Sequence, residues 1–276
     1  MRKRVAATLA SNSGEGVNSA ASLARGLQLL RAFSRADATL GNQELIQRTG
    51  LPKATVSRLT AMLVGLGYLD YDATLGRYSI GAATVSLGYS ALSSNSVIHV
   101  ARPLMQELAD ETGAAVAIGM RDGLEMVYLA NCRSPGPVSL QLDVGSRVPI
   151  DRTAMGLAWL ASATAPEREA LFARWNEEFK EKAKALAPLA EAARRETDGN
   201  GFVGAFGTWY SYINAVGVAF RPSDGSPLVA ITCGGIVDIL PAETCRSKVG
   251  PRLAGLVAKL RDQLSGGSNP SPGSAP

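Results

Sequence analysis

The tripeptide Gly50-Leu51-Pro52 constrains this chain more than any other feature, because it holds two short helical patterns apart by a tight turn. Residues 43–49 carry Leu45 and Ile46 on one side, and Gly50 suits the left-handed residue that closes a helix. Pro52 suits the first position of the next helix, where its missing N–H would be unpaired anyway. In residues 52–65 and the turn after them, Val56, Leu59, Leu63 and Leu66 form an apolar stripe, while Lys53, Thr55, Ser57 and Arg58 point elsewhere. A helix precedes the pair at 22–33, its apolar stripe being Leu23, Leu27, Leu30 and Phe33. Two strand-like runs follow it, 67–72 and 77–80, around the hairpin loop Ala73-Thr74-Leu75-Gly76.

Three helices and a hairpin in about 60 residues outline a winged helix. In that arrangement the second helix of the pair offers polar side chains to base edges while the first braces it. Thr55 and Arg58, three residues apart, share a face near the front of that helix; Arg can donate two bonds to guanine. Lys53 suits a phosphate, and Arg77 on the return strand suits a neighbouring phosphate or the minor groove. Arg25, Lys53, Ala54, Thr55, Ser57, Arg58 and Arg77 are the expected DNA-facing set. Charge agrees: residues 1–80 hold 10 Lys/Arg against 5 Asp/Glu, whereas 81–276 hold 18 against 19.

Residues 82–98 read as a connecting helix, and from 103 onward the pattern is α+β. Helices are expected at 104–112, 153–162, 166–179, 184–197 and 253–264. Strands are expected at 114–121, 125–131, 138–142, 215–220 and 228–234, the first two joined through Asp122-Gly123. The resulting division is a disordered tail (1–18), a winged helix-turn-helix (19–81), a linker helix (82–100), a second domain (101–264) and a second tail (265–276). No apolar run approaches the ~20 residues of a membrane span, and the basic start is too brief in its apolar part for a secretory signal; a cytoplasmic protein is expected. Three scattered cysteines and one histidine, His99, show no metal-ligand spacing, and no catalytic set or cofactor motif stands out. Gly199-Asn200-Gly201-Phe202-Val203-Gly204 matches G-x-G-x-x-G, but a helix precedes it where a dinucleotide site needs a strand.

The run from Ser22 to Leu30, followed by Gly50-Leu-Pro-Lys-Ala-Thr-Val-Ser-Arg-Leu59 and Gly67-Tyr-Leu69, resembles the DNA-binding domain of the IclR family of regulators. Ala101-Arg102-Pro103, the run Leu108-Ala-Asp-Glu-Thr-Gly113, Val127-Tyr128-Leu129, Val144-Gly-Ser-Arg-Val-Pro149 and Thr153-Ala-Met-Gly156 extend the likeness over roughly residues 20–264. The resemblance implies a C-terminal, GAF-like effector-binding domain with a curved antiparallel sheet enclosing a small organic effector. It also implies a homodimer, often paired into a dimer of dimers, on a pseudo-palindromic operator, repressing or activating a catabolic operon, with no membrane partner.

The same resemblance places Ala154, Met155, Asn214, Thr232 and Gly234 around the effector. Here Asp151 stands where the family often has histidine, and Leu157 where lysine is common. A frequent cysteine is Asn214, and the acidic stretch before it is aromatic: Phe202, Phe206, Trp209, Tyr210 and Tyr212 fall within eleven residues. These rings either wall a pocket, with Trp209 and Tyr212 on the effector, or pack a core or dimer interface. Loss of an acidic wall makes room for an anion, so an aromatic or bulky carboxylate bonded to Asn214 and Thr232 is expected. The alternative is a small-molecule-binding protein or enzyme whose N-terminal helices serve assembly only.

Overall fold

The computed structural model describes residues 15–34, 36–135 and 142–266, which form two compact units divided between Ser94 and Asn95. In the first unit α1 (Glu15–Arg31), α2 (Asn42–Thr49) and α3 (Lys53–Gly65) surround Leu29, Leu40, Leu45, Val56 and Leu59. A three-stranded sheet of β1 (Leu40–Gly41), β3 (Arg77–Ile80) and β2 (Leu69–Asp72) completes it, and α4 (Ala82–Ser93) follows. Gly50 closes α2 at φ 66°, as its lack of a Cβ allows. Pro52 is extended and caps α3 rather than opening it: its carbonyl accepts from the N–H of Thr55 and Val56 at 2.9 and 3.0 Å.

Two apolar stripes differ from expectation. α1 buries Gly26 and Leu29 and leaves Leu23 and Leu27 66% and 51% exposed, because the face that meets α3 lies two positions off the Leu23–Leu27 row. Leu66, 65% exposed, is the C-cap of α3, its N–H still donating to the Met62 carbonyl at 3.0 Å, and its side chain faces solvent.

In the second unit, α5 (Ser96–Thr112) leads into a six-stranded antiparallel sheet in the order β6-β5-β4-β9-β8-β7. These strands are β4 (Ala115–Asp122), β5 (Glu125–Arg133), β6 (Arg147–Pro149), β7 (Val203–Phe206), β8 (Ile213–Phe220) and β9 (Val229–Ile236). α6 (Ala154–Ser162), α7 (Ala165–Glu178) and α8 (Leu186–Asn200) cover one face, with Met155, Trp159, Leu171 and Trp175 in their core. The other face meets α5, through Cys132 and Cys233, and α9 (Gly250–Gly266), which is entered by way of a π-helical turn, Cys245–Val249.

The connecting helix expected at 82–98 is two helices. Asn95 starts the second, its Oδ1 accepting the N–H of Ile98 at 3.2 Å, the ordinary way a side chain satisfies a first-turn donor. α5 then runs on through Pro103 to Thr112. Pro103 removes one backbone bond there, but the buried face of Val97, Ile98, Ala101, Met105 and Leu108 holds the helix together. α1 and α9 also take in residues 15–18 and 265–266, read above as tail; 1–14, 267–276 and most of the strand expected at 138–142 lie outside the described residues. β6 and β7, both short, were not expected from the sequence.

Candidate functional site

The polar side of α3 is free of the body of its unit. Lys53, Ala54, Ser57, Arg58 and Ala61 are exposed, a spacing that puts them on one helical face; Thr55 on the flank is half-buried. Val56, Leu59 and Thr60 fix the opposite face, and the Thr60 hydroxyl bonds the Val56 carbonyl at 2.9 Å and the Tyr78 hydroxyl at 3.2 Å. At the front, Asn42 Nδ2 donates to Ser57 Oγ at 3.2 Å, and Gln28 Nε2 ties α1 to the last turn of α2 by donating to the Thr49 carbonyl at 2.9 Å. The helix is thus braced from behind with a cationic edge to solvent, as major-groove reading requires. Arg25 is exposed on α1, away from the α3 row in sequence.

Arg77 is placed differently from the sequence reading. Its Nε donates to Thr39 Oγ1 at 2.8 Å, and its NH2 donates to the Thr39 carbonyl at 2.9 Å and meets Glu44 Oε2 at 2.9 Å. Glu44 also accepts the Gly41 N–H at 2.7 Å, and these bonds, the backbone one first, hold its carboxyl below the usual range. Arg77 therefore locks the hairpin to α2 instead of reaching outward, and the first arm of the hairpin, β2, carries Asp70 and Asp72. Arg77→Ala is expected to lower the stability of the first unit by about 1–2 kcal/mol in denaturant titration, leaving the salt slope of DNA binding unchanged. A slope reduced by one phosphate would instead make Arg77 a DNA contact.

The second unit holds a cavity that opens to solvent at the edge of its sheet, lined mostly by apolar side chains with a few polar groups, as small-molecule sites are. Its floor follows from the strand register. Ala205, Ala215, Gly234 and Ala115 stand opposite one another across β7, β8, β9 and β4, and Thr232 and Ala117 pair in the row beside them. Facing residues on neighbouring strands share one side of a sheet, so this run of small side chains leaves a shallow trough. Met155, Trp209, Leu142, Val148 and Ile213 wall it. α6 begins on the wall with Ala154, capped by Thr153, whose Oγ1 accepts the Gly156 N–H at 3.2 Å. Two glycines let α6 approach: a Cβ at Gly217 would lie 2.4 Å from the Ala154 carbonyl oxygen, and one at Gly119 2.5 Å from Met155 Sδ.

Among the described lining residues only Arg152 is charged. Its Nε faces Asp151 Oδ1 at 3.2 Å, and its terminal nitrogens have no partner among the described residues. Thr208 Oγ1 donates to the Arg152 carbonyl at 2.8 Å, fastening the β7–β8 loop to the rim. Tyr128 and Thr232 both line the cavity, and burial pushes the Tyr128 phenol up to about 12.

Of the expected effector residues, the structure brings Ala154, Met155, Trp209, Thr232 and Gly234 to this cavity. Asn214 is not on its wall. Alternation along β8 sends Ile213 and Ala215 to the cavity and Asn214, 5% exposed, to the other side, where Nδ2 donates to the Leu240 carbonyl at 2.8 Å. Tyr212 is also off the wall: it is exposed and stacks on Tyr210 at 5.5 Å between ring centroids. Phe202 packs on Gly250, and Phe206 lies under the Arg246 guanidinium at 4.3 Å. One aromatic of the five thus lines the pocket, and the rest pack or face solvent. The sequence reading did not place Tyr128, Asn131, Thr208 or Arg152 there.

No metal-binding cluster of three or more His, Cys, Asp or Glu occurs among the described residues, and no described helix is long and apolar enough to cross a membrane. The three cysteines are buried and free, and burial pushes Cys233 up to about 12 and Cys245 to about 11, which makes them poor nucleophiles.

Family models match both units: an IclR helix-turn-helix domain over residues 22–73 and a bacterial transcriptional regulator IclR C-terminal model over 89–198. The HTH-type transcriptional regulator TsaQ1/TsaQ2 of Comamonas testosteroni is 33% identical over 245 residues, 88% of each chain. The crystal structure of an IclR family transcriptional regulator from Brucella abortus is 37% identical, with a TM-score of 0.77 over 88% of this chain and 92% of that one. An IclR homolog from Microbacterium hydrocarbonoxydans, crystallised with 4-hydroxybenzoate, shares the fold at 20% identity and a TM-score of 0.67, over 89% of this chain and 99% of that one.

Proposed function

The chain belongs to the IclR family of DNA-binding transcriptional regulators, and from that membership we propose that α3 reads the major groove of an operator while the cavity of the second unit takes a small organic acid. The observation that carries the DNA half is the exposed row of Lys53, Ser57 and Arg58 on a helix pinned from behind. Lys53 sits at the start of α3, where a cation meets phosphate rather than a base edge. Lys53→Ala is expected to weaken binding to all duplexes alike and to flatten the plot of log affinity against log salt by about one unit. An unchanged slope would remove Lys53 from the interface.

What supports the acid is Arg152, the one charged residue among the described lining, beside the positive end of α6; its Nε is taken by Asp151, which leaves its terminal nitrogens to meet a carboxylate. A catabolic operon for an organic acid, aromatic in the version that suits Trp209 and the flat alanine-glycine floor, is the corresponding target. The Microbacterium homolog's 4-hydroxybenzoate is of that chemical class. Titration of the protein with benzoate, followed by the fluorescence of Trp209 and its neighbours, tests this; absence of binding by benzoate and its hydroxylated forms would exclude the aromatic acid.

We place the protein in the cytoplasm as a homodimer on a pseudo-palindromic site, one half-site per copy. In support, α4 buries none of its residues within the chain and exposes Val85, Leu87 and Tyr89, while α1 exposes Leu23 and Leu27. The ligand would shift the balance between dimers competent and incompetent for DNA. Regulators of this family are not enzymes, which leaves the alternative of a catalytic protein without support.

A further inference from the structure

Away from the cavity, the turn between β4 and β5 gathers two cations. Arg121, near the end of β4, donates from Nη1 to the Gly123 carbonyl at 2.8 Å. Its Cζ lies 4.7 Å from the centre of the Trp159 ring on α6. Arg174 comes to the same glycine from α7. A Cβ built at Gly123 would lie 3.3 Å from its Cζ and from both its terminal nitrogens, so the guanidinium lies face-on to the turn. Two full positive charges thus meet across one residue, Arg121 half-buried and Arg174 exposed.

The nearby carboxylates are engaged elsewhere. Glu167, the acid that acts most on Arg121, accepts from Arg221 Nη2 at 2.7 Å and from the N–H and hydroxyl of Thr164 at 2.9 and 2.8 Å. Asp122 and Glu125 hold Arg147 at 2.7 and 2.6 Å. Among the described residues no carboxylate lies within 4 Å of the guanidinium nitrogens of Arg121 or Arg174. Burial pulls the Arg121 guanidinium below its usual range; Glu167 opposes that, and the Arg174 charge adds to it. An arginine does not shed its proton at physiological pH, so the pair keeps both charges. Stacking on Trp159 accounts for Arg121, but nothing in the fold accounts for a second cation brought to the same glycine.

We infer that Arg121 and Arg174 bind a doubly charged oxyanion, a phosphate group, at a site separate from the effector cavity. Each guanidinium offers a planar fork of N–H donors that matches the oxygens of phosphate. A phosphate carries close to two negative charges at neutral pH, whereas a carboxylate would balance only one of the arginines. Neither arginine lines the cavity, yet both sites share β4 and α6: Gly119 lies against Met155 on the cavity wall, and Arg121 against Trp159.

The test is calorimetric titration of the full chain with inorganic phosphate and with glycerol 3-phosphate. Binding of at least one is expected, and the tighter of the two tells whether the group is taken free or as an ester. Arg174→Gln is expected to weaken that binding about tenfold, and Arg121→Gln at least as much. Nitrate, an oxyanion of single charge, is expected to bind about tenfold more weakly than phosphate. Arg152→Gln and Lys53→Ala, which remove cations of the cavity and of the α3 row, are expected to leave phosphate affinity unchanged. Arg174 is exposed, so Arg174→Gln carries the test should Arg121→Gln, which also loses the Trp159 contact, fail to fold. No binding by either phosphate compound, nitrate binding as tight as phosphate, or an affinity that survives Arg174→Gln overturns the inference. So does an affinity lost in Arg152→Gln or Lys53→Ala, which would place the phosphate in the cavity or on the DNA face; the readings of those two sites stand in every case.

Discussion

Gly217→Val is expected to destabilise the second unit by about 3 kcal/mol and to abolish its response to ligand. The mechanism is backbone against backbone. A Cβ at residue 217 would sit 2.4 Å from the carbonyl oxygen of Ala154 and 2.9 Å from its carbon, contacts that no side-chain rotation relieves. Either α6 lifts from β8 or the strand bows away, and both movements displace Ala154 and Met155 from the cavity wall. The same glycine therefore serves packing and the site together. Thermal unfolding checks it, with a drop of roughly 6–12 °C for a unit of this size. Gly255→Ala on α9, where an added Cβ meets nothing within 4 Å, is the control and is expected to be neutral or slightly stabilising. Equal melting temperatures for Gly217→Val and the unmutated chain would mean that α6 does not sit on β8 as described.

Arg58→Ala is expected to cost about 1–3 kcal/mol of specific DNA binding and to relax the preference at one base pair of each half-site. Arg58 lies on the exposed row of α3, and its removal leaves the buried contacts of Val56, Leu59 and Thr60 in place. The unfolding transition should accordingly stay where it is, which separates this variant from Arg77→Ala. Binding measured on a randomised-operator library reads the loss of preference directly; an unaltered preference would assign base reading to another residue.

The helix pair was legible because Gly50 and Pro52 act locally: one closes α2 and the other caps α3 whatever surrounds them. The β4–β5 and β8–β9 strands were legible from their apolar runs for the same reason. What could not be read depends on partners distant in sequence. Arg77 looked like any exposed cation until the fold set Thr39 and Glu44 beside it. Asn214 and Thr232 both sat at plausible places along their strands, yet the phase of β8 turns one away from the cavity while β9 presents the other. Tyr128 was hidden more deeply, since the bulge at Leu129 reverses the face that alternation assigns it. α5 shows the converse case, a proline that signals a boundary locally and is overridden by a long buried face.

The account stands on the outward row of α3 meeting duplex DNA, and lysine chemistry reports on that contact most directly. Reductive methylation of the full chain, with and without DNA from upstream of its own gene, is followed residue by residue by mass spectrometry. Lys53 is expected to be protected by the duplex, while Lys180, Lys182, Lys248 and Lys259 of the second unit are modified equally in both samples. Lys53 modified to the same extent while DNA is demonstrably bound would contradict it.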